Sequence, residues 1–279
     1  MSTNKYPPRS GGFVAQIPNL FTLLNLVFGC IAIVFILQTG ETIVVLEDTG
    51  ATQVQLPEKI WWGALFIFAA ALVDFLDGFL ARLLRASSEM GKQLDSLSDV
   101  VSFGVAPGMI LYQLLRMGYA RETGGLDVPL LALLPAFIFS GAVAWRLAKF
   151  NIATNQSFSF KGVPSPAAGL VVASFPLIIL YEYFQLQEFF ITPGLLYAVI
   201  AVLSYLMVSN HNFMAIKFTD FSVRNNRVKY ILLAVALVAA ATLKWLAVPV
   251  VFVLYLVLSQ FGRQPEPPAR NKETVDRTV

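Results

Sequence analysis

Residues 72–104 read LVDFLDGFLARLLRASSEMGKQLDSLSDVVSFG, and this stretch decides the fold class. Long apolar runs flank it, yet it carries four aspartates where the hydrophobic pattern is that of membrane-spanning helices; they are Asp74, Asp77, Asp95 and Asp99. A charged side chain in the hydrocarbon region costs at least ~2.5 kcal/mol even on insertion scales. The stretch therefore predicts membrane helices that carry a polar site between them.

The composition of the whole chain also indicates a membrane protein. Of the 279 residues, 57% are hydrophobic and only 13% are charged, and the mean hydropathy is +0.68. A typical soluble domain is about 25% charged, so this chain has too little charge to cover a soluble globule. The net charge of +3 is small and dispersed, which argues against a nucleic-acid partner. Cys30 and His211 are the only cysteine and histidine, which argues against a disulfide framework and a Cys/His zinc site.

Proline, glycine and charge clusters divide the chain into eight apolar segments. A spanning helix needs about 20 mostly apolar residues. The candidate spans lie near residues 18–38, 60–86, 93–117, 128–150, 167–184, 193–210, 228–243 and 246–261. The last two are short and could pair as a helical hairpin. The predicted fold is an all-α polytopic membrane bundle with about eight transmembrane helices.

The positions of Lys and Arg predict the orientation. With the N-terminus inside, most of the 20 basic residues fall in cytoplasmic segments, so we expect both termini in the cytoplasm. Residues 1–17 are polar, and we expect a cytoplasmic or interfacial segment there. No A-x-A cleavage pattern follows the first apolar run, which predicts a retained span. The Pro-rich, charged tail 262–279 is expected to be disordered.

The spacing of the four aspartates groups them on two helix faces. Asp74 and Asp77 are three residues apart, and Asp95 and Asp99 are four apart, so each pair shares one face. The connection 87–92 is short, which makes the two helices antiparallel neighbours whose acidic faces can converge. Hard oxygen ligands without His or Cys suit Mg²⁺, Mn²⁺ or Ca²⁺.

Small and basic residues lie beside the aspartates. The small ones are Gly78, Ala81 and Gly91, and the basic ones are Arg82, Arg85 and Lys92. Room for a large ligand, together with positive charge and metal ions, favours a diphosphate substrate. Close helix packing is the alternative explanation for the small residues. A structural ion cage and a cation-coupled transporter are the alternatives for the aspartates.

From Asp74 to Asp99 the pattern is D-x2-D-G-x2-A-R-x8-G-x3-D-x3-D. At every fixed position it resembles the signature of the CDP-alcohol phosphatidyltransferase family. The resemblance implies a membrane core of about six catalytic helices, over residues 18–210. Residues 211–261 would then be a cytoplasmic loop and a C-terminal helical hairpin.

The resemblance implies a reaction in which an alcohol attacks the lipid-side phosphorus of a CDP-linked lipid and CMP leaves. It implies two divalent ions per site, Mg²⁺ or Mn²⁺. The expected metal ligands are Asp74, Asp77, Asp95 and Asp99, of which Asp99 would also be the catalytic general base. The expected CDP-lipid-binding residues are Gly78, Ala81, Arg82 and Gly91. The family also suggests a homodimer.

Three further segments indicate the acceptor alcohol. They are PNLFTLLN at 18–25, RLAKFN at 146–151 and FKGVPSPAAG at 160–169. All three are similar to segments of the phosphatidylserine synthase branch of the family, although Val163 stands where Leu is expected. The resemblance implies CDP-diacylglycerol and L-serine as substrates, and phosphatidylserine and CMP as products. We expect a bacterial inner membrane, with the active site on the cytoplasmic side, where the distribution of Lys and Arg places it.

Serine presents a carboxylate, an ammonium group and the attacking hydroxyl. The candidate acceptor-binding residues are Arg146, Lys149, Asn151 and Ser165. Anchoring of the helix end by the positive-inside rule is the alternative for the two basic residues. Another acceptor in the same family, such as glycerol 3-phosphate, inositol phosphate or choline, stays open.

Span 1 carries Asn19, Thr22 and Asn25 at helical spacing. Helix–helix hydrogen bonding would explain them. Lining of a polar headgroup pocket is the alternative that the sequence leaves open.

Overall fold

The structure is a computed structural model, and it is mainly a bundle of helices. It describes residues 13–38, 41–47, 50–56, 59–84, 86, 88–121, 128–152, 160–181, 185–213 and 227–261. The longer helices are α1 (Phe13–Leu37), α2 (Ile60–Leu83), α3 (Glu89–Asp99), α4 (Ala106–Tyr119), α6 (Ala136–Ile152), α7 (Ser165–Leu180), α9 (Pro193–Val208), α10 (Arg227–Leu243) and α11 (Ala247–Phe261). Two short helices are α5 (Leu130–Leu133) and α8 (Gln187–Ile191). The predicted tail 262–279 and most of segment 1–17 lie outside the described residues.

Four helical stretches are long and apolar enough to cross a membrane. Among the described residues they are Gln16–Leu37, Ile60–Leu83, Glu89–Tyr119 and Tyr230–Ser259. The helices α7 and α9 are apolar but shorter. The chain is therefore an integral membrane protein, as its composition predicts. Within the last stretch, the short turn Lys244–Leu246 separates α10 from α11, and Lys244 has a φ of +52°.

Two small antiparallel ribbons accompany the helices, and neither was part of the all-helical prediction. One pairs β1 (Glu41–Glu47) with β2 (Gly50–Leu56), and the other pairs β3 (Phe160–Lys161) with β4 (Asn212–Phe213). The sequence TIVV inside β1 is rich in β-branched residues, which favour strands. This short β-branched pattern is hard to recognise in the sequence, because the long apolar spans on either side of the first ribbon give a stronger signal.

The stretch Glu89–Tyr119 is the central helix of the bundle. In its apolar window 61% of the residues are buried, against 28% for Gln16–Leu37 and for Ile60–Leu83. Its neighbours approach closely at glycines: a Cβ added to Gly169 of α7 would lie 3.1 Å from the backbone oxygen of Phe103. Small residues of this kind let helix backbones meet in membranes.

The central helix is interrupted by a π-helical turn. Residues Val100–Val105 separate α3 from α4, and the backbone N–H of Ala106 donates to the oxygen of Val101, five residues earlier. Such turns hold one residue more than an α-turn and are frequent at functional sites. Here the turn begins directly after Asp99.

The packing of α1 on α2 predicts a strong effect of Gly63→Ala. The added methyl would lie 2.8 Å from the backbone oxygen of Ala32, and overpacking of this kind costs about 1–3 kcal/mol. We expect a lower unfolding midpoint in detergent, measured by thermal denaturation.

The matched control is Gly141→Ala, because this exposed helical glycine has no atom within 4 Å of an added Cβ. Alanine favours a helix over glycine by about 1 kcal/mol, so this variant should be at least as stable as the wild type. Equal losses in both variants would contradict the proposed close contact.

Candidate active site

Three carboxylates from α2 and α3 meet, one from α2 and two from the C-terminal half of α3. Asp74, Asp95 and Asp99 each offer one oxygen atom, and these atoms all lie within 4.8 Å of one another. Asp74 is contributed by α2, whereas Asp95 and Asp99 are contributed by α3. Of the four aspartates expected to converge from the two neighbouring helices, the structure brings these three together.

The three carboxylates fit a divalent cation. The group consists of aspartates alone, so its donor atoms are hard oxygens. Carboxylate oxygens are the ligands that Mg²⁺, Mn²⁺ and Ca²⁺ prefer, whereas zinc sites more often add His or Cys. The cluster is therefore able to hold a metal.

Asp77 lies beside this group but is not a member of it. Its side chain is only 6% exposed, and its Oδ2 accepts a hydrogen bond of 2.7 Å from the Thr22 hydroxyl on α1. It interacts electrostatically with Asp74 and Asp95. The structure thus brings three of the four predicted ligands together and holds the fourth next to them through α1.

A cavity of about 170 Å³ opens beside the acidic group. It lies between α3, the end of α6 and the start of α7. Its polar lining residues are Lys92, Asp95, Ser96, Asp99, Arg146, Asn151 and Ser165. A cavity of about 150 Å³ can hold benzene, so this one has room for a small polar molecule of similar size.

Two polar atoms of the cavity residues have no partner among the described residues. Arg146 donates from Nη1 to the Ser165 hydroxyl at 3.2 Å, but its buried Nε is unpaired. Asn151 donates from Nδ2 to the Ser96 hydroxyl at 2.7 Å, but its Oδ1 is unpaired. A buried polar group without a partner costs about 1–3 kcal/mol. One unpaired donor and one unpaired acceptor suit a ligand that carries both an anionic and a donating group.

The loop before α7 places Ser165 at the cavity. Gly162 has a φ of +75° and donates its backbone N–H to the oxygen of His211, and Val163 donates to the oxygen of Leu206. These bonds fasten the loop to the end of α9. A side chain at Gly162 would also collide with the backbone of Met207.

The remaining predicted residues have different surroundings. Lys149 is exposed, donates to Asn210 Oδ1 at 2.6 Å and is not a lining residue of the cavity. Gly78 faces open space, because the nearest atom to an added Cβ is Nη1 of Arg82 at 3.9 Å. At Gly91 the same Cβ would lie 2.9 Å from the Asn19 side-chain oxygen.

Residue Ser96 lines the cavity, and the sequence analysis missed it. Its hydroxyl accepts from Asn151 and donates to the backbone oxygen of Lys92 at 3.2 Å. The spacing Lys92–Ser96 puts both residues on one helix face. That signal could have identified Ser96, because Lys92 was already a candidate for the site.

The comparison with known proteins identifies the family. Residues 15–206 match the sequence model of the CDP-alcohol phosphatidyltransferases. The chain belongs to the CDP-alcohol phosphatidyltransferase family. It shares 35% identity with the CDP-diacylglycerol–serine O-phosphatidyltransferase of Helicobacter pylori, over 195 residues and 69% of each chain. For the enzyme of that name in Bacillus subtilis, the identity is 37% over 158 residues, 57% of this chain and 77% of the relative.

A relative with a different name is the archaetidylserine synthase of Methanothermobacter thermautotrophicus. It is 32% identical over 145 residues, which are 50% of this chain and 56% of the relative. The acidic group and the residues of the cavity all lie within the stretch that matches the family.

The acidic group predicts a metal-dependent gain in stability. Mn²⁺ should raise the unfolding midpoint of the wild type, because a ligand at 100 times its Kd stabilises by about 2.7 kcal/mol. The variant Asp74→Asn removes the carboxylate that α2 contributes to the acidic group. Its metal-free form should unfold at a higher temperature than the metal-free wild type, and its Mn²⁺ shift should largely disappear.

The control for this experiment is Glu89→Gln, which neutralises an exposed acid on the same helix as Asp95. Its Mn²⁺ shift should equal that of the wild type. A full shift in Asp74→Asn would rule out the assigned site.

Proposed function

We propose that this protein transfers the phosphatidyl group of CDP-diacylglycerol to the hydroxyl of L-serine, giving phosphatidylserine and CMP. The observation that carries the proposal is the cavity, which shares Asp95 and Asp99 with the acidic group and has the size of a small polar molecule. The names of the relatives support serine, since they are serine phosphatidyltransferases and an archaetidylserine synthase.

The metal site would be formed by Asp74, Asp95 and Asp99 with Asp77 beside them, and would hold two Mg²⁺ or Mn²⁺ ions. When bound, the ions supply charge neutralisation for the diphosphate and the departing CMP. The chain itself contributes the placement of the carboxylates on two neighbouring helices.

The CDP-lipid would lie along the end of α2 and the start of α3. Gly78 leaves open space there, and the exposed Arg82 lies one turn further along α2. Ala81 and Gly91 are the other small residues of this surface. A guanidinium beside a diphosphate binds it through charge-assisted hydrogen bonds.

Serine would bind in the cavity. Its carboxylate pairs with Arg146, whose Nε is unpaired, and its ammonium group donates to Oδ1 of Asn151. Ser165 holds the guanidinium in place. Lys149 is left out of this set because its side chain bonds to Asn210 outside the cavity.

Asp99 would be the general base. Its carboxylate belongs both to the acidic group and to the cavity lining. A base must reach the attacking hydroxyl within hydrogen-bonding distance, and this shared position meets that requirement for a serine in the cavity. The proton passes from the hydroxyl to Asp99 as the serine oxygen attacks the lipid-side phosphorus.

The proposal includes the topology predicted from the basic residues. Both termini would be cytoplasmic, with eight spans, a catalytic core at 18–210 and a loop and hairpin at 211–261. The active site would lie on the cytoplasmic side of a bacterial inner membrane, because L-serine and CMP are dissolved in the cytoplasm. The active form would be a homodimer, as the family suggests.

An acceptor panel tests the reaction. Purified protein with CDP-diacylglycerol and Mn²⁺ should release CMP with L-serine but not with glycerol 3-phosphate, inositol phosphate or choline. Chelation of the metal should abolish release. The variant Asp99→Asn should lose at least about 100-fold in rate, because a general base contributes 10²–10⁴-fold.

Two results would contradict the proposal. CMP release with glycerol 3-phosphate and not with serine would assign another acceptor. Cation flux into liposomes without any CDP-lipid, together with no CMP release, would favour the transporter.

The cavity predicts opposite behaviour for two neighbouring basic residues. Arg146→Gln should raise the KM for serine about 10- to 100-fold, because hydrogen bonds to charged groups contribute about 1.5–3 kcal/mol. Lys149→Gln should change it by less than about twofold. Equal changes in the KM for serine at both positions would indicate anchoring of the helix end and would reject the serine site. The unfolding midpoints of both variants serve as the folding control.

A further inference from the structure

The apolar helix α1 carries two buried polar side chains that face the acidic group. Thr22 is 3% exposed and Asn25 is 0% exposed. Polar side chains inside a membrane protein are costly unless they have partners. Their surroundings therefore indicate what they do.

Thr22 holds Asp77. Its hydroxyl lies 2.7 Å from Asp77 Oδ2 and 3.1 Å from the backbone oxygen of Pro18. A hydroxyl has one proton, and the shorter contact with a carboxylate is the stronger bond. Thr22 therefore directs its proton to Asp77, and this bond joins α1 to the carboxylate beside the acidic group.

Asn25 contacts Asp99 through the nitrogen atom of its carboxamide group. Its Nδ2 lies 3.4 Å from Asp99 Oδ1, at the long limit of a hydrogen bond. Its Oδ1 is buried and has no partner among the described residues. Both atoms belong to one planar carboxamide, so the unpaired oxygen is part of the same group that contacts Asp99.

Hydrogen bonding between the helices does not require this side chain. The hydroxyls of Ser98 and Ser102 already join α3 and the π-helical turn to α1, since they donate to the backbone oxygens of Thr22 and Asn25 at 3.0 Å each. The carboxamide oxygen remains available for a ligand.

We infer that Asn25 is a neutral oxygen ligand of the divalent-metal site. Amide oxygens suit the same cations as carboxylates. Four carboxylates and two divalent ions already balance in charge, so a neutral ligand adds coordination without repelling a diphosphate. The inference rests on the metal site of the proposed function, but it concerns α1, a helix outside the aspartate motif.

The test is a Mn²⁺ titration of the purified full chain in detergent without CDP-lipid, followed by the electron paramagnetic resonance signal of free Mn²⁺. Asn25→Leu removes the oxygen and should weaken binding at least about 10-fold. Asn25→Asp keeps an oxygen and adds a charge, so it should bind Mn²⁺ at least as tightly as the wild type. Ser102→Ala removes only a bond to the α1 backbone and should stay within about twofold of the wild type.

A purely structural role would weaken binding in both Asn25 variants and in Ser102→Ala to a similar degree, and that result would overturn the inference. Unchanged binding in Asn25→Leu would overturn it as well. Absence of Mn²⁺ binding in the wild type would instead reject the metal site itself. Serine-dependent CMP release by the wild type separates failure of this inference from failure of the proposed function.

Discussion

Mutual repulsion among carboxylates is the constraint on which the rest of this structure depends. Two unit charges 4 Å apart repel by about 4 kcal/mol at an effective dielectric constant of 20, and Asp74, Asp95 and Asp99 lie at about this spacing. The bundle holds them together nonetheless, because α2 and α3 are joined by a short connection and α3 is part of the stretch Glu89–Tyr119, whose apolar window is 61% buried. A cation bound between these carboxylates would offset the repulsion among their charged forms.

The acidic group and the cavity divide the chemistry between them. The acidic group suits a metal ion, whereas the cavity offers an arginine and an amide oxygen that suit an amino acid. Asp95 and Asp99 belong both to the acidic group and to the cavity lining, and the proposed mechanism uses Asp99 both as ligand and as base. Specificity for the acceptor can therefore change in the cavity without altering the carboxylates.

Sequence spacing was sufficient for the carboxylates but not for the cavity. The i,i+4 pair on α3 predicts its own geometry because both residues are on one helix. Arg146 and Lys149 are one turn apart at the end of α6, and no local pattern says which of them points inward. The contact of Arg146 with Ser165 depends on the loop that Gly162 fastens to α9, a long-range arrangement with no local signature.

The secondary structure likewise has parts that the sequence predicts and parts that it does not. Long apolar runs predict the helices, and Ser88 explains why α3 begins at Glu89 rather than near residue 93: its hydroxyl accepts from the backbone N–H of Gly91 at 2.9 Å. The β1–β2 ribbon was missed because its alternation is short and lies beside stronger signals. The π-helical turn has no sequence signature at all, since only the packing around it selects that geometry.

The π-helical turn also changes the rotation of α4 about the helix axis relative to α3, although the two form one continuous helix. Because residues 100–105 hold an extra residue, the face that α4 presents to α6 and α7 is offset from the face that α3 presents to α1. Deleting a single residue there would turn one half of the helix against the other by about 100°, the angle per residue of an α-helix with 3.6 residues per turn. Changes in length are therefore far more damaging in this segment than changes of side chain.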